Sequence, residues 1–130
     1  MTSDPINSLR ILVADDDPTN LRLAAAILRK LGHSGVVVSD GRRALERLEQ
    51  EPFDVALLDD SMPGLSGTEV VRRIRALELA GRARVALLIV SGHVGADDQQ
   101  RFCAAGADGF VPKPVDIELL RRELQRVAGR

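Results

Sequence analysis

Four apolar runs punctuate the chain, and each stops at a polar or charged residue. Val55-Ala56-Leu57-Leu58 runs into Asp59-Asp60, and Arg10-Ile11-Leu12-Val13-Ala14 runs into Asp15-Asp16-Asp17. Val85 through Val90 ends at Ser91-Gly92, and Gly109-Phe110-Val111-Pro112 ends at Lys113-Pro114. Short apolar runs bounded by turn residues predict strands buried on both faces. Val36-Val37-Val38 predicts one more short strand.

Between these runs the apolar period changes to that of a helix. Asp17-Pro18 reads as a helix start, with an acceptor at the cap and Pro in the first position. Leu21, Ala24, Leu28 and Leu31 then recur at helical spacing, and Gly32 ends the element. Asp40-Gly41 opens a second helix to about Glu51, with Ala44, Leu45 and Leu48 inward and Pro52 as the stop. A third runs from about Gly67 to Leu79, with Val70, Ile74 and Leu77 on one face and Gly81 after it. Asp97 or Asp98 starts a fourth, which ends near Gly106. A fifth follows Pro114, with Ile117, Leu120, Leu124 and Val127 inward.

Strands and helices thus alternate five times. This predicts an α/β fold with a parallel sheet covered on both faces, because each crossover lays a helix across the sheet. In such sheets chemistry sits in the crevice beyond the C-terminal ends of the strands. The polar residues that close the apolar runs therefore fall where a site belongs. The polar stretch 1–8 reads as a loose arm, and 9–130 as one domain.

Composition narrows the function classes. The chain carries 18 basic and 19 acidic residues in 130, so no footprint for nucleic acid or a membrane surface is visible. Phe53, Phe102 and Phe110 are the only aromatics, so Val, Leu, Ile and Ala must build the core. One cysteine, Cys103, allows no internal disulfide and points to a reducing compartment. No run reaches transmembrane length, and the expectation is a cytoplasmic protein.

The motifs Asp15-Asp16, Asp59 with Met62-Pro63-Gly64, Ser91, and Lys113-Pro114 come in an order and spacing that resembles the receiver domain of two-component response regulators. The resemblance runs from about Leu9 to about Val127. It implies a flavodoxin-like, doubly wound, five-stranded sheet of order 2-1-3-4-5. It implies a phosphoacceptor switch that takes a phosphoryl group from a phosphohistidine with Mg2+. Asp59 is the implied acceptor, since two residues separate it from Met-Pro and it closes the strand, whereas only one separates Asp60. An apolar residue is usual in the family at the place of Asp60.

The resemblance further implies Asp16 and Asp59 as direct Mg2+ ligands, Asp15 through a water, and the backbone carbonyl of Ser61 as a third protein ligand. Three clustered carboxylates repel one another unless a cation binds, and hard oxygen donors suit magnesium. Asp17 is assigned to capping. Lys113 supplies the second counter-charge, with the Lys-Pro bond usually cis in the family. Ser91 would bond a phosphoryl oxygen, and Phe110 holds the aromatic switch position, with a static core ring as the alternative. Ser61 and His93 take the two positions that tune acyl-phosphate lifetime; a loop histidine facing solvent or a partner is the other reading of His93. His33 reads as structural and Cys103 as a packing residue.

The implied phosphodonor is a histidine kinase or histidine phosphotransfer domain docking near the first helix and the site loops. The implied output surface is the fourth helix, fifth strand and fifth helix, including Phe102, Phe110 and residues near Asp108. Monomer and phosphorylation-dependent dimer both remain open. The Asp17-Pro18-Thr19-Asn20-Leu21 and Leu31-Gly32-His33 segments resemble receivers attached to hybrid histidine kinases. No effector segment follows the fifth helix, which leaves a stand-alone receiver, not an enzyme in its own right, or one cut from a longer kinase. A Mg2+-dependent phosphatase of the haloacid dehalogenase type is the competing reading, because Asp15-x-Asp17 has its nucleophile spacing. A nucleotide-binding module ranks below both, since neither GxGxxG nor a P-loop follows the first strand.

Overall fold

The computed structural model describes residues 8–128. Apart from Ser8, the arm expected over residues 1–8 lies outside them. The chain alternates as β1 (Arg10–Ala14), α1 (Pro18–Lys30), β2 (Ser34–Val38), α2 (Gly41–Gln50), β3 (Val55–Asp59), α3 (Gly67–Leu79), β4 (Ala86–Ser91), α4 (Ala96–Ala105), β5 (Gly109–Pro112) and α5 (Ile117–Ala128). All strand pairs are parallel, in the order β2-β1-β3-β4-β5. The expected fold class is the one observed.

Alternation along each strand divides the core in two. Leu12, Ala14, Ala56, Leu58, Leu87 and Ile89 face α2, α3 and α4, where Ala44, Leu48, Val70, Ile74 and Phe102 meet them. Ile11, Val13, Val55, Leu57, Leu88, Val90 and Val111 face α1 and α5, against Ala24, Leu28, Leu120 and Leu124. Successive strand residues point to opposite faces, so a central strand with a helix layer on each side must be apolar throughout. In β3, Val55, Ala56, Leu57 and Leu58 are, Asp59 closes the strand, and all five residues are buried. β2 closes one edge and exposes Ser34, Gly35 and Val37.

Several element starts differ from the sequence pattern, each for a local reason. β2 begins two residues before its valines, because Ser34 and Gly35 pair with Arg10 and Ile11. A Cβ on Gly35 would come 2.3 Å from the Ile11 carbonyl oxygen, so the close pairing needs glycine. β4 begins at Ala86 because the Val85 N–H and carbonyl are already bound by Glu78 (2.9 Å) and Arg75 (2.8 Å). α4 begins at Ala96, with Gly95 rather than Asp97 or Asp98 at its cap. Asp98 lies a turn inside and reaches back to accept from the Gly95 N–H at 3.1 Å. Cys103, expected in the packing, is exposed on α4.

Candidate functional site

Strand order places the site. The chain leaves β1 toward β2 on one side and returns to β3 on the other, so loops part above β1 and β3. Asp15 follows β1 and Asp59 ends β3, while Ser91 ends β4 and Lys113 follows β5. Asp15 (6% exposed) and Asp59 (2%) are buried, whereas Asp16 is exposed. Carboxylate oxygens of Asp15, Asp16 and Asp59 all lie within 4.8 Å of one another. The three residues expected to cluster are therefore brought together. An all-oxygen donor set of this charge, with one face open to water, fits a hard divalent cation that keeps part of its hydration shell.

Lys113 Nζ donates to Asp59 Oδ1 at 3.0 Å and sits 3.4 Å from Asp15 Oδ2. The Lys113–Pro114 peptide is cis. Burial raises the Asp59 carboxyl above the usual aspartate range. The Lys113 hydrogen bond and the Ser61 N–H (3.2 Å) oppose this, and the charge of Asp15 adds to it. For Lys113 burial pulls the ammonium down, but its hydrogen bond to Asp59 and the charges of Asp59 and Asp15 leave it above the usual lysine value.

Each remaining candidate has a definite place. Asp17 caps α1, accepting from the Thr19 N–H at 2.9 Å, while its own N–H donates to Asp15 Oδ1 at 2.9 Å. The two carboxylates spaced as Asp-x-Asp thus do different work. Ser61 is exposed beside Asp59. Ser91 is 4% exposed, and its hydroxyl is held by its own loop: it accepts from the His93 N–H (3.0 Å) and donates to the His93 carbonyl (3.2 Å). His93 itself is exposed. Phe110 is half-buried with its ring centroid 6.3 Å from that of Phe102. His33 accepts from the Leu9 N–H at 3.1 Å, tying the start of β1 to the turn after α1.

Two groups escaped the sequence reading. Asp60 is not a loose charge: it accepts from the Thr68 hydroxyl at 2.6 Å and pairs with Arg101 at 3.3 Å. At the opposite end of the sheet, Asp108 pairs with Arg75 and Arg84, both at 2.7 Å, and accepts from the Leu87 N–H at 2.8 Å. Burial works against ionisation of Asp108, and these partners outweigh it, holding its carboxyl below the usual range. An acid just after an apolar strand was the available signal for the first group. Nothing local pointed to Arg101, 41 residues away.

The sequence profile described as response regulator receiver domain matches residues 11–125. The chain belongs to the response regulator receiver family. The virulence sensor protein BvgS of Bordetella bronchiseptica is 40% identical over 131 residues, which is 98% of this chain and 11% of BvgS. This receiver therefore spans about a ninth of that relative. A crystal structure of the receiver domain of sensor histidine kinase PA1611 from Pseudomonas aeruginosa PAO1, with magnesium coordinated in its active site cleft, is 32% identical. It superposes with a TM-score of 0.84 over 95% of this chain and 99% of that one. The Saccharomyces cerevisiae Ssk1 receiver, crystallised with the histidine phosphotransfer protein Ypd1, shares the fold at 19% identity, with a TM-score of 0.90 over 97% and 92% of the two chains. The molecule is a receiver domain of the two-component type. No helix among the described residues is long and apolar enough to cross a membrane.

Proposed function

We propose that this receiver takes a phosphoryl group from a phosphohistidine onto Asp59. The observation that carries the reading is one buried carboxylate, 3.0 Å from the Lys113 ammonium, at the sheet rim beside two further carboxylates. An Asp59 oxygen attacks phosphorus, the O–P bond forms as the N–P bond to histidine breaks, and the nitrogen keeps the bonding pair. Charge spreads over the equatorial oxygens in passage, so catalysis is positioning and counter-charge. Asp16 and Asp59, the Ser61 carbonyl, and Asp15 through water would hold Mg2+, which supplies positive charge for those oxygens when bound. Lys113, whose ammonium is 3.0 Å from Asp59 Oδ1, supplies the rest. Ser91 must exchange its bonds to the His93 backbone for one to a phosphoryl oxygen.

Ser61 and His93, both exposed beside the site, would govern water access to the acyl phosphate. The release of Ser91 is coupled in this reading to rotation of Phe110. Phe110 borders a groove of about 490 Å³ between α4, β5 and α5, with Phe102, Cys103, Leu119 and Glu123 along it, and that groove is the proposed output face. The phosphodonor, a histidine kinase or phosphotransfer domain, would dock on α1 and the site loops. There a cleft of about 290 Å³ opens beside Asp15 and Lys113, edged by Asn20, Leu23 and Val115. We read the domain as cytoplasmic, either alone or within a hybrid kinase, and its own chemistry as phosphoryl acceptance and autodephosphorylation only.

The test is labelling by a small-molecule phosphodonor, with and without Mg2+, in the parent chain and in Asp59→Asn. Mg2+-dependent label that disappears in the variant is the expected result. Undiminished label in Asp59→Asn would move the acceptor, with Asp60 next in line.

A further inference from the structure

Asp60 breaks the family pattern, and the structure gives its charge a specific use. Its two oxygens are divided between Thr68 Oγ1 on the first turn of α3 (2.6 Å) and Arg101 Nη2 on α4 (3.3 Å). Arg101 also donates to Asp98 Oδ1 at 3.2 Å and to Thr68 Oγ1 at 3.4 Å. Its guanidinium carbon lies 4.9 Å from the centroid of the Phe102 ring. Asp98 in turn holds the Gly95 N–H at the cap of α4. Phe102 is 1% exposed and faces Phe110. One guanidinium thus ties the residue after Asp59 to α3, to the first turn of α4 and to the aromatic pair leading to β5.

We propose that Arg101 is a positioning residue for phosphorylation. By pairing with Asp60 it holds α4 in the arrangement in which Ser91 is bound into its own loop, and so lowers the affinity of the site for a phosphoryl group. The inference rests on Asp59 as acceptor. A ligand that favours one of two arrangements binds more weakly in proportion to how far the other is populated. The Arg101 side chain is 44% exposed, so the pair is weak enough to yield. A bias of a few-fold in the equilibrium is the size such a contact supports.

The experiment titrates beryllofluoride, a phosphoryl mimic, into the Mg2+-saturated chain and follows backbone amide shifts of the β4–α4 loop and β5. Arg101→Met removes the charge and keeps the stem over Phe102. Asp60→Asn keeps an acceptor for Thr68 and removes the pair. Each variant should bind beryllofluoride about 3-fold to 5-fold more tightly. The double variant should gain no more than the better single, because both cut one link. Arg101→Lys should return toward the parent, and Arg101→Met should leave affinity for Mg2+ alone unchanged.

Equal or weaker beryllofluoride affinity in both single variants, or single effects that multiply in the double, overturns the latch. A loss of thermal stability with no gain in affinity gives Arg101 a merely structural role and overturns it too. If the parent chain itself takes up no beryllofluoride, the acceptor reading falls and this inference with it. Normal uptake by the parent beside indifferent variants removes only the inference.

Discussion

Asp59→Asn should make the metal-free domain more stable at neutral pH. The Asp59 carboxylate is buried at the rim of a crowded anionic cluster. Its attraction to Lys113 at 3.0 Å is about 5.5 kcal/mol at an effective dielectric constant of 20. Repulsion from a second carboxylate at the 4.8 Å limit of the cluster is about 3.5 kcal/mol on the same scale. Asp15 exerts that in full, whereas water screens the share of exposed Asp16. The Coulomb contributions therefore nearly cancel, and burial decides the sign. Asparagine removes the charge while its side-chain oxygen still accepts from Lys113 and Ser61. The expected gain is about 1–2 kcal/mol, the part of a several-kcal/mol desolvation cost left at a partly wet rim.

The pH dependence follows from the raised carboxyl. The folded state holds the Asp59 proton more tightly than the unfolded chain does. The resulting stability is complete below the ordinary aspartate value and is lost as pH rises through the raised one. Parent and variant should therefore converge in acid and separate toward neutrality, with the variant on top. Urea denaturation in a chelator across pH 4 to 8 measures this, and added Mg2+ should close the gap by stabilising the parent alone. A variant no more stable than the parent at neutral pH, or a difference independent of pH, would refute the reasoning.

Three further outcomes are expected. Lys113→Met leaves Asp15 and Asp59 without their shared ammonium and should cost about 2–3 kcal/mol in the metal-free domain, with much of it recovered in Lys113→Met/Asp59→Asn; equal losses in both would refute the pairing. Gly67→Ala drives a Cβ to 2.5 Å from the Asp59 carbonyl oxygen and should cost about 1–3 kcal/mol in thermal unfolding while also weakening Mg2+ binding; an unchanged Tm would show that α3 can shift freely. Arg75→Met strips Asp108, whose side chain is 5% exposed, of one guanidinium and frees the Gly106 and Val85 carbonyls, at a cost of about 3 kcal/mol by urea denaturation; a loss within 0.5 kcal/mol, roughly that of an ordinary surface change, would contradict the buried network.

Much of this molecule is legible without coordinates because its signals are local. Period two or period 3.6, a cap residue and a terminating glycine each act within a few positions. Val55–Asp59 and Gly67–Leu79 accordingly fall where the pattern puts them. The rim residues are legible for the same reason: a polar residue that closes a buried parallel strand has one place to go. The misplaced starts, at β2, β4 and α4, are those where a distant backbone or side chain took over a group, as Glu78 does for Val85.

The amino-acid pattern by itself determined five strands, five helices and the gathering of Asp15, Asp16, Asp59, Ser91 and Lys113 at one end of the sheet. Tertiary structure alone decided which charges meet. Among 18 basic and 19 acidic residues no local rule pairs Arg101 with Asp60 or Arg75 with Asp108. It also decided that the Ser91 hydroxyl turns to the His93 backbone and that Cys103 faces water. Ion pairs and hydroxyl rotors act over a few ångströms of space, and the chain brings together residues dozens of positions apart only once every crossover has been laid down.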